Sequence, residues 1–180
     1  FRGCVSLDSI RIPKGIRSLE GDTFQDCTSL HYVDIPNSVT SLGGGAFSGC
    51  SALDSITIPN SVTSMGRLVF DGCTSLKSVK LSEKLTSIPM LAFQNVSSLT
   101  SIVIPDGVTT IEDRAFRGCE HLSRVVIPKS ATYVGSEAFY NCLELEDVFC
   151  YASSIPQGNP SVFDNFGHFP LTEATLHVPQ

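Results

Sequence analysis

Phenylalanine recurs at positions 1, 24, 47, 70, 93, 116 and 139, every step being 23 residues. A fixed period of this length restricts a chain to an array of like units, each too small to bury its own apolar face. Other residues keep the same phase. Cys follows at 4, 27, 50, 73, 119 and 142, with Val96 in the missing place, and Leu stands at 7, 30, 53, 76, 99, 122 and 145. An aliphatic pair at alternate positions comes next, as in Ile10/Ile12, Val33/Ile35, Ile56/Ile58, Val79/Leu81, Ile102/Ile104 and Val125/Ile127. Pro ends the pair at 13, 36, 59, 105 and 128, with Ser82 the exception. A last pair spaced by three closes the unit, for example Val39/Leu42 and Val108/Ile111. Six full units cover 1–138 and a seventh begins at Phe139.

Each part of the unit has a physical reading. The alternate aliphatics, many of them β-branched, predict a short strand. Proline lacks an N–H and cannot extend a ladder, so it ends that strand. Pairs such as Lys14-Gly15, Asn37-Ser38, Asn60-Ser61 and Asp106-Gly107 suit a turn led by the proline. Phe and Cys three apart predict a single inward-facing helical or 3-10 turn. Stacking the units about 4.8 Å apart turns each column of like residues into a continuous core.

The pattern gives seven units, 1–23, 24–46, 47–69, 70–92, 93–115, 116–138 and 139–162, and then falters. Tyr151 stands where Pro is expected, 152–161 is rich in Ser, Pro, Gly and Asn, and Phe163 comes one residue late. The stretch 174–179 reads as one more strand ending in Pro, so 163–180 is expected to be a degenerate capping coil. No such cap is seen at the start. Phe1 opens a full unit without a Met, which points to a fragment or processed form with its first coil capped by further sequence or left exposed.

A unit such as Phe47-Ser48-Gly49-Cys50, Leu53, Ile56-Thr57-Ile58-Pro59 and Val62 resembles the BspA-like class of leucine-rich repeats. The resemblance covers about 160 residues of the 180. It implies a leucine-rich repeat solenoid, an open, β-rich, right-handed coil with one short parallel strand per repeat. It also implies an extracellular or cell-surface protein, some members of the family being adhesins.

Composition narrows the function. The net charge of −6 argues against a nucleic-acid groove, which needs clustered Lys and Arg. No apolar run approaches the roughly 20 residues of a membrane helix, and no signal peptide is visible. Charged residues make up only 17%, below the roughly 25% of ordinary soluble domains, and Ser, Thr, Gly and Asn take their place.

Seven Cys invite a disulfide or zinc reading, but no C-x-x-C pair is present, and Val96 fills the same slot as the cysteines without breaking the pattern. Buried free thiols are therefore expected, Cys150 included. His31, His121, His168 and His177 are scattered, with no metal-pair spacing. Gly43-Gly44-Gly45 lacks the Lys and Ser/Thr of a phosphate loop and reads as a tight turn. Asn95-Val96-Ser97 is a glycosylation triplet of the kind that arises by chance. No nucleophile has a placed base, so neither catalysis nor a cofactor is expected.

The strand face is where a partner is expected to bind, through side chains flanking the strand aliphatic. Those pairs are Ser9/Arg11, Tyr32/Asp34, Ser55/Thr57, Ser78/Lys80, Ser101/Val103, Arg124/Val126 and Asp147/Phe149. The first five are mostly small and polar. Toward the C-terminal end, Val103, Val126, Phe149 and Tyr151 form an apolar stripe flanked by Arg124 and Asp147, the usual mark of an interaction site. Two readings stay open for the stripe. It binds a protein or glycan, or the following loop, with Phe163, Phe166 and Phe169, folds back over it as part of the cap. For the whole chain, the reading is an adhesin-like recognition module, with a structural scaffold or assembly subunit as the alternative.

Overall fold

A computed structural model describes residues 1–152 and the backbone of 175–177. It is a solenoid of parallel strands in which each of the first six coils contributes a longer and a shorter strand and the seventh, among the described residues, a longer one. The longer ones are β1 (Ser9–Arg11), β3 (Tyr32–Asp34), β5 (Ser55–Thr57), β7 (Ser78–Lys80), β9 (Ser101–Val103), β11 (Arg124–Ile127) and β13 (Asp147–Cys150). They coincide with the stretches that the alternate aliphatics predict. The shorter ones are β2 (Ser18–Leu19), β4 (Ser41–Leu42), β6 (Ser64–Met65), β8 (Ser87–Ile88), β10 (Thr110–Ile111) and β12 (Tyr133–Val134). One strand per repeat was expected, so this second ladder is a correction. Its strands form where the closing aliphatic pair turns its last member inward. β14 (Thr175–His177), in the stretch read as a closing strand, pairs in parallel with β13.

Register follows the period. Ile10 pairs with Val33, Ile56 with Val79, and Ile102 with Val125, each partner lying 23 residues on. In β5 the pleat is plain: Ile56 is buried and Ser55 and Thr57 are exposed. Inside the coil, the Phe rings of successive units stack from Phe1 to Phe139 with centroids 5.2–5.6 Å apart. At that spacing the near-parallel rings are offset, and such a pair adds about 0.5–1.5 kcal/mol beyond its area burial.

The Phe–Cys step makes one turn but no helix among the described residues. The Cys27 N–H bonds the Phe24 carbonyl at 3.2 Å, as expected of a tight turn. Between them, however, Asp26 has φ of 58°, and Gly49, Gly72, Asn95, Gly118 and Asn141 repeat that conformation in later coils. A left-handed residue at this point ends any helical run, and Gly, Asn and Asp tolerate it best. The local conformation turns the Phe N–H toward the next coil instead. Phe24 bonds the Ala46 carbonyl at 2.8 Å, and Phe47, Phe70, Phe93 and Phe116 do the same one coil later each.

The abundant Ser and Thr also join the coils. Thr40, Thr109 and Thr132 donate their hydroxyls to the carbonyls of Arg17, Thr86 and Thr109, and Ser123 donates to Thr100. A surface tied by short hydroxyl side chains needs few charges, which accounts for the low charge content.

Both ladders are interrupted. The shorter strands break between β6 and β8. In other coils an N–H after the short strand bonds the preceding coil, as Gly43 does to Leu19, Gly66 to Leu42 and Glu112 to Ile88. Pro89 occupies that position in the fourth coil and has no N–H to give. The longer strands break between β3 and β5 and again between β7 and β9.

Candidate strand-face binding site

Successive longer strands place the expected site residues side by side. Val103 pairs with Val126 and Val126 with Phe149, while Arg124 pairs with Asp147. Side chains at these positions point away from the core because the alternating neighbours, Ile102, Val125 and Val148, are buried. Val103 is 68% exposed and Tyr151 is 48% exposed, whereas Val126, Phe149 and Asp147 are half-buried. Arg124 does more than flank the stripe. Its guanidinium carbon lies 4.4 Å from the centroid of the Phe149 ring, a cation–π contact that covers part of that ring.

The ladder breaks coincide with two surface concavities. The larger, about 460 Å³, lies where β7 and β9 are not joined. Val103, Val126 and Tyr151 of the expected site line it. So do Lys80, one of the strand-face pairs, and Lys77, Glu83 and Asp106, which lie outside those pairs. Lys80 was visible only as an isolated charge, since nothing in the period marks where a ladder opens. The smaller, about 320 Å³, lies between β3 and β5 and is lined by Tyr32, Asp34, Ser55 and Thr57 among others. On that face Arg11 and Asp34 form an exposed ion pair at 3.4 Å. Phe163, Phe166 and Phe169, expected as an alternative cover for the stripe, lie outside the described residues.

The cysteines are free. Those of the inward slot are buried from Cys27 to Cys142, as is Cys150, in agreement with the packing argument. Cys4 is a correction. It is exposed, because no described coil lies over the first one. The slot also asks for more than a small hydrophobe. Each buried thiol of that slot donates to the carbonyl of the residue at the Phe position one coil back, as Cys50 does to Phe24 at 3.1 Å, Cys73 to Phe47 at 3.1 Å and Cys119 to Phe93 at 3.1 Å. Burial pushes the thiols of Cys50 and Cys142 up to about 12 and those of Cys73 and Cys119 well above their ordinary value. Thiols held in this state are poor nucleophiles and poor metal ligands.

His31 sits 3.1 Å from Asp8, and His121 sits 2.7 Å from Glu144, each bridging two coils at the surface. Among the described residues no three of His, Cys, Asp and Glu come together as a metal site, and no helix is long and apolar enough to cross a membrane. Gly44 and Gly45 lie in a turn, as expected. Asn95 of the glycosylation triplet is exposed, with φ of 56°.

Several solved bacterial proteins share this architecture. A leucine-rich repeat protein of T. pallidum is 31% identical, with a TM-score of 0.64 over 83% of this chain and 59% of that one. One from Eubacterium ventriosum is 29% identical, with a TM-score of 0.77 over 93% and 45%. A protein of Faecalibacterium prausnitzii, described as a leucine rich cell surface protein, is 26% identical, with a TM-score of 0.54 over 94% and 65%. The chain thus spans less than two thirds of each of these relatives. A search of curated proteins finds no match. The model of the BspA type leucine rich repeat region matches in six copies over 1–98 and 86–176. The 23-residue period, the stacked Phe column and these matches agree, and the chain belongs to the BspA-type leucine-rich repeat family.

Proposed function

We propose that this chain is a non-catalytic recognition module, adhesin-like and displayed at the cell surface or secreted, which binds a protein or glycan through its strand face. The observation that carries the reading is the row Val103, Val126 and Phe149 on three adjacent strands, open to solvent at Val103 and edged by Arg124, Asp147 and Tyr151. Isolated apolar residues are normal on a surface, but a contiguous row with an aromatic and an Arg is the composition of a binding hot spot. The surface location draws support from the Faecalibacterium prausnitzii relative described as a cell surface protein. Residues 163–180 serve in this reading as the closing coil of the stack.

The test is capture of a partner by wild type and by the Val126→Asp/Phe149→Asp double variant, from host matrix or from bacteria that share the habitat. Circular dichroism and thermal unfolding first establish that the variant folds. Loss of the partner by a folded variant supports the strand-face reading. Equal capture by both places the contact elsewhere on the solenoid. An unfolded variant means that these side chains are core of the closing coil, which favours the scaffold reading.

A further inference from the structure

We propose that the concavity between the second and third coils binds an uncharged sugar of a glycan, stacked on Tyr32 and hydrogen-bonded by Asp34, Ser55 and Thr57. The proposal rests on the strand-face reading above and adds to it a second contact, away from the Val103 row, with a ligand of stated class. An open aromatic ring, unused polar side chains and the local charge each point to it.

The ring is that of Tyr32, 54% exposed on β3. Ser9 pairs with it on β1, and Ser55 holds the same position one coil on, in β5. A serine is too short to cover a phenol ring from either side. Elsewhere in the molecule aromatic rings are taken up: the Phe column stacks on itself, and Tyr140 and Phe149 each carry a guanidinium. Tyr32 has no ring or cation contact, and its hydroxyl no hydrogen bond, among the described residues. The C–H face of a pyranose is flat and apolar, and it packs on such a ring while the hydroxyls at its rim stay free to bond.

The polar side chains are the second feature. On the other faces short hydroxyl side chains are spent between coils, as Thr40, Thr63, Thr109 and Ser123 donate to carbonyls of the preceding coil. Ser55, Thr57 and Asn37, which line the concavity with Tyr32 and Asp34, make no such side-chain bond among the described residues. Ser55 and Thr57 point outward because Ile56 between them is buried. Arg11 engages Oδ2 of Asp34 at 3.4 Å, which steadies the carboxylate and leaves Oδ1 to accept a bond. Hydroxyls and an amide that donate and accept, beside a carboxylate that accepts, match the vicinal hydroxyls of a sugar. A few placed polar groups next to an apolar surface are what orients a small ligand. The sugar lies over the strands, on their outward side, so β3 and β5 stay where they are. None of the outward side chains of these two strands is a large aliphatic, so an apolar peptide finds little to bury against.

Charge sets the class of sugar. On and just before β1, β3 and β5 the carboxylates Asp8, Asp34 and Asp54 stand against one permanent cation, Arg11. An anionic sugar is repelled there, whereas a neutral one is indifferent to the balance.

The experiment is a printed array of neutral, sialylated and sulfated oligosaccharides, probed with the intact chain displayed in many copies on labelled beads, because a single sugar contact is weak. Tyr32→Ala, Tyr32→Phe, Ser55→Leu and Val126→Asp/Phe149→Asp are run beside wild type, after circular dichroism verifies each fold. The expected result is retention of neutral glycans, weakened about tenfold or more by Tyr32→Ala and largely kept by Tyr32→Phe, which preserves the stacking ring. Ser55→Leu removes no part of the ring but covers it, and should weaken binding as Tyr32→Ala does. The proposal is overturned if no neutral glycan is retained, if sialylated or sulfated glycans are preferred, or if Tyr32→Ala and Ser55→Leu bind as wild type does. A blank array, with partner capture still abolished by Val126→Asp/Phe149→Asp, removes the sugar site and leaves the strand-face reading standing. Neutral-glycan binding that persists in Val126→Asp/Phe149→Asp and is lost in Tyr32→Ala supports the sugar site whatever becomes of the Val103 row.

Discussion

The thiol of Cys73 donates to the carbonyl oxygen of Phe47 across 3.1 Å, tying the fourth coil to the third inside the core. That oxygen also accepts the backbone N–H of Cys50 at 3.1 Å, so it does not depend on the thiol alone. Val96 holds the equivalent slot, fully buried, in the fifth coil. Cys73→Val should therefore fold and lose no more than about 1 kcal/mol, the net value of one modest hydrogen bond. Chemical denaturation of the two proteins measures it. A loss above about 3 kcal/mol would mean that the thiol column is essential to the stack.

The buried thiols set an alkaline limit. Cys50 and Cys142 are raised from an ordinary 9.0 to about 12 by burial. Below pH 9 the folded and unfolded chains both keep these protons, and stability does not respond to them. Between pH 9 and about 12 the unfolded chain releases the protons while the folded chain holds them. Stability should then fall as pH rises, by roughly 1 kcal/mol per unit for each such thiol. Urea unfolding at a series of pH values reads the slope, and the Cys50→Val/Cys142→Val variant should show a shallower one. An unchanged slope in the variant would assign the alkaline loss to other groups.

Phe70 is fully buried between the rings of Phe47 and Phe93. Truncating it opens a cavity that the neighbouring rings cannot close, so Phe70→Ala should cost about 3–5 kcal/mol. Ser78 is exposed on the strand face, and Ser78→Ala should leave the unfolding midpoint unchanged. A cost below about 1 kcal/mol for Phe70→Ala would contradict the ring column as core.

Pro89 removes the N–H that would reach back to the third coil. Pro89→Ala supplies that donor. The new hydrogen bond contributes about 0.5–1.5 kcal/mol, and the freer unfolded chain costs about 0.4–1 kcal/mol. The two nearly cancel, so the midpoint should move little. Hydrogen exchange is the better readout: the amide at position 89 should be protected. A fast-exchanging amide would show that the break between β6 and β8 has another cause.

Much of this fold can be read directly from the period. Phe, Cys and Leu at fixed phase mark the inward slots, and Ser9–Arg11 through Asp147–Cys150 fall where alternate aliphatics predict strands. The shorter strands were not legible, because two residues such as Ser18 and Leu19 are too few to show alternation. The left-handed residue after each Phe was half legible, since Gly49, Gly72 and Asn95 are types that tolerate it. Two residues before Phe the same conformation falls on Leu68, Leu91 and Arg114, which no propensity favours. There the bonds between coils impose it, Leu68 to Met90, Leu91 to Asp113 and Arg114 to Ser136. At the candidate site the row of Val103, Val126 and Phe149 followed from register alone. The stacking of Arg124 on Phe149, and the opening that brings Lys77 and Lys80 beside Val103, depend on how neighbouring coils sit and leave no trace in the repeat.

The most direct test of the central claim, that the strand face is the recognition face, is site-specific photo-crosslinking. A benzophenone amino acid is placed in turn at Val103, on the strand face, and at Arg117, whose guanidinium carbon lies 5.2 Å from the centroid of the Tyr140 ring on the Phe-turn side. Each protein is irradiated on the matrix or cell surface that wild type binds, and the adducts are resolved by mass spectrometry. The account predicts an adduct to one discrete partner from position 103 and none from position 117. Adducts from position 117 alone would contradict it, and the recognition face would then lie on the turn side of the solenoid.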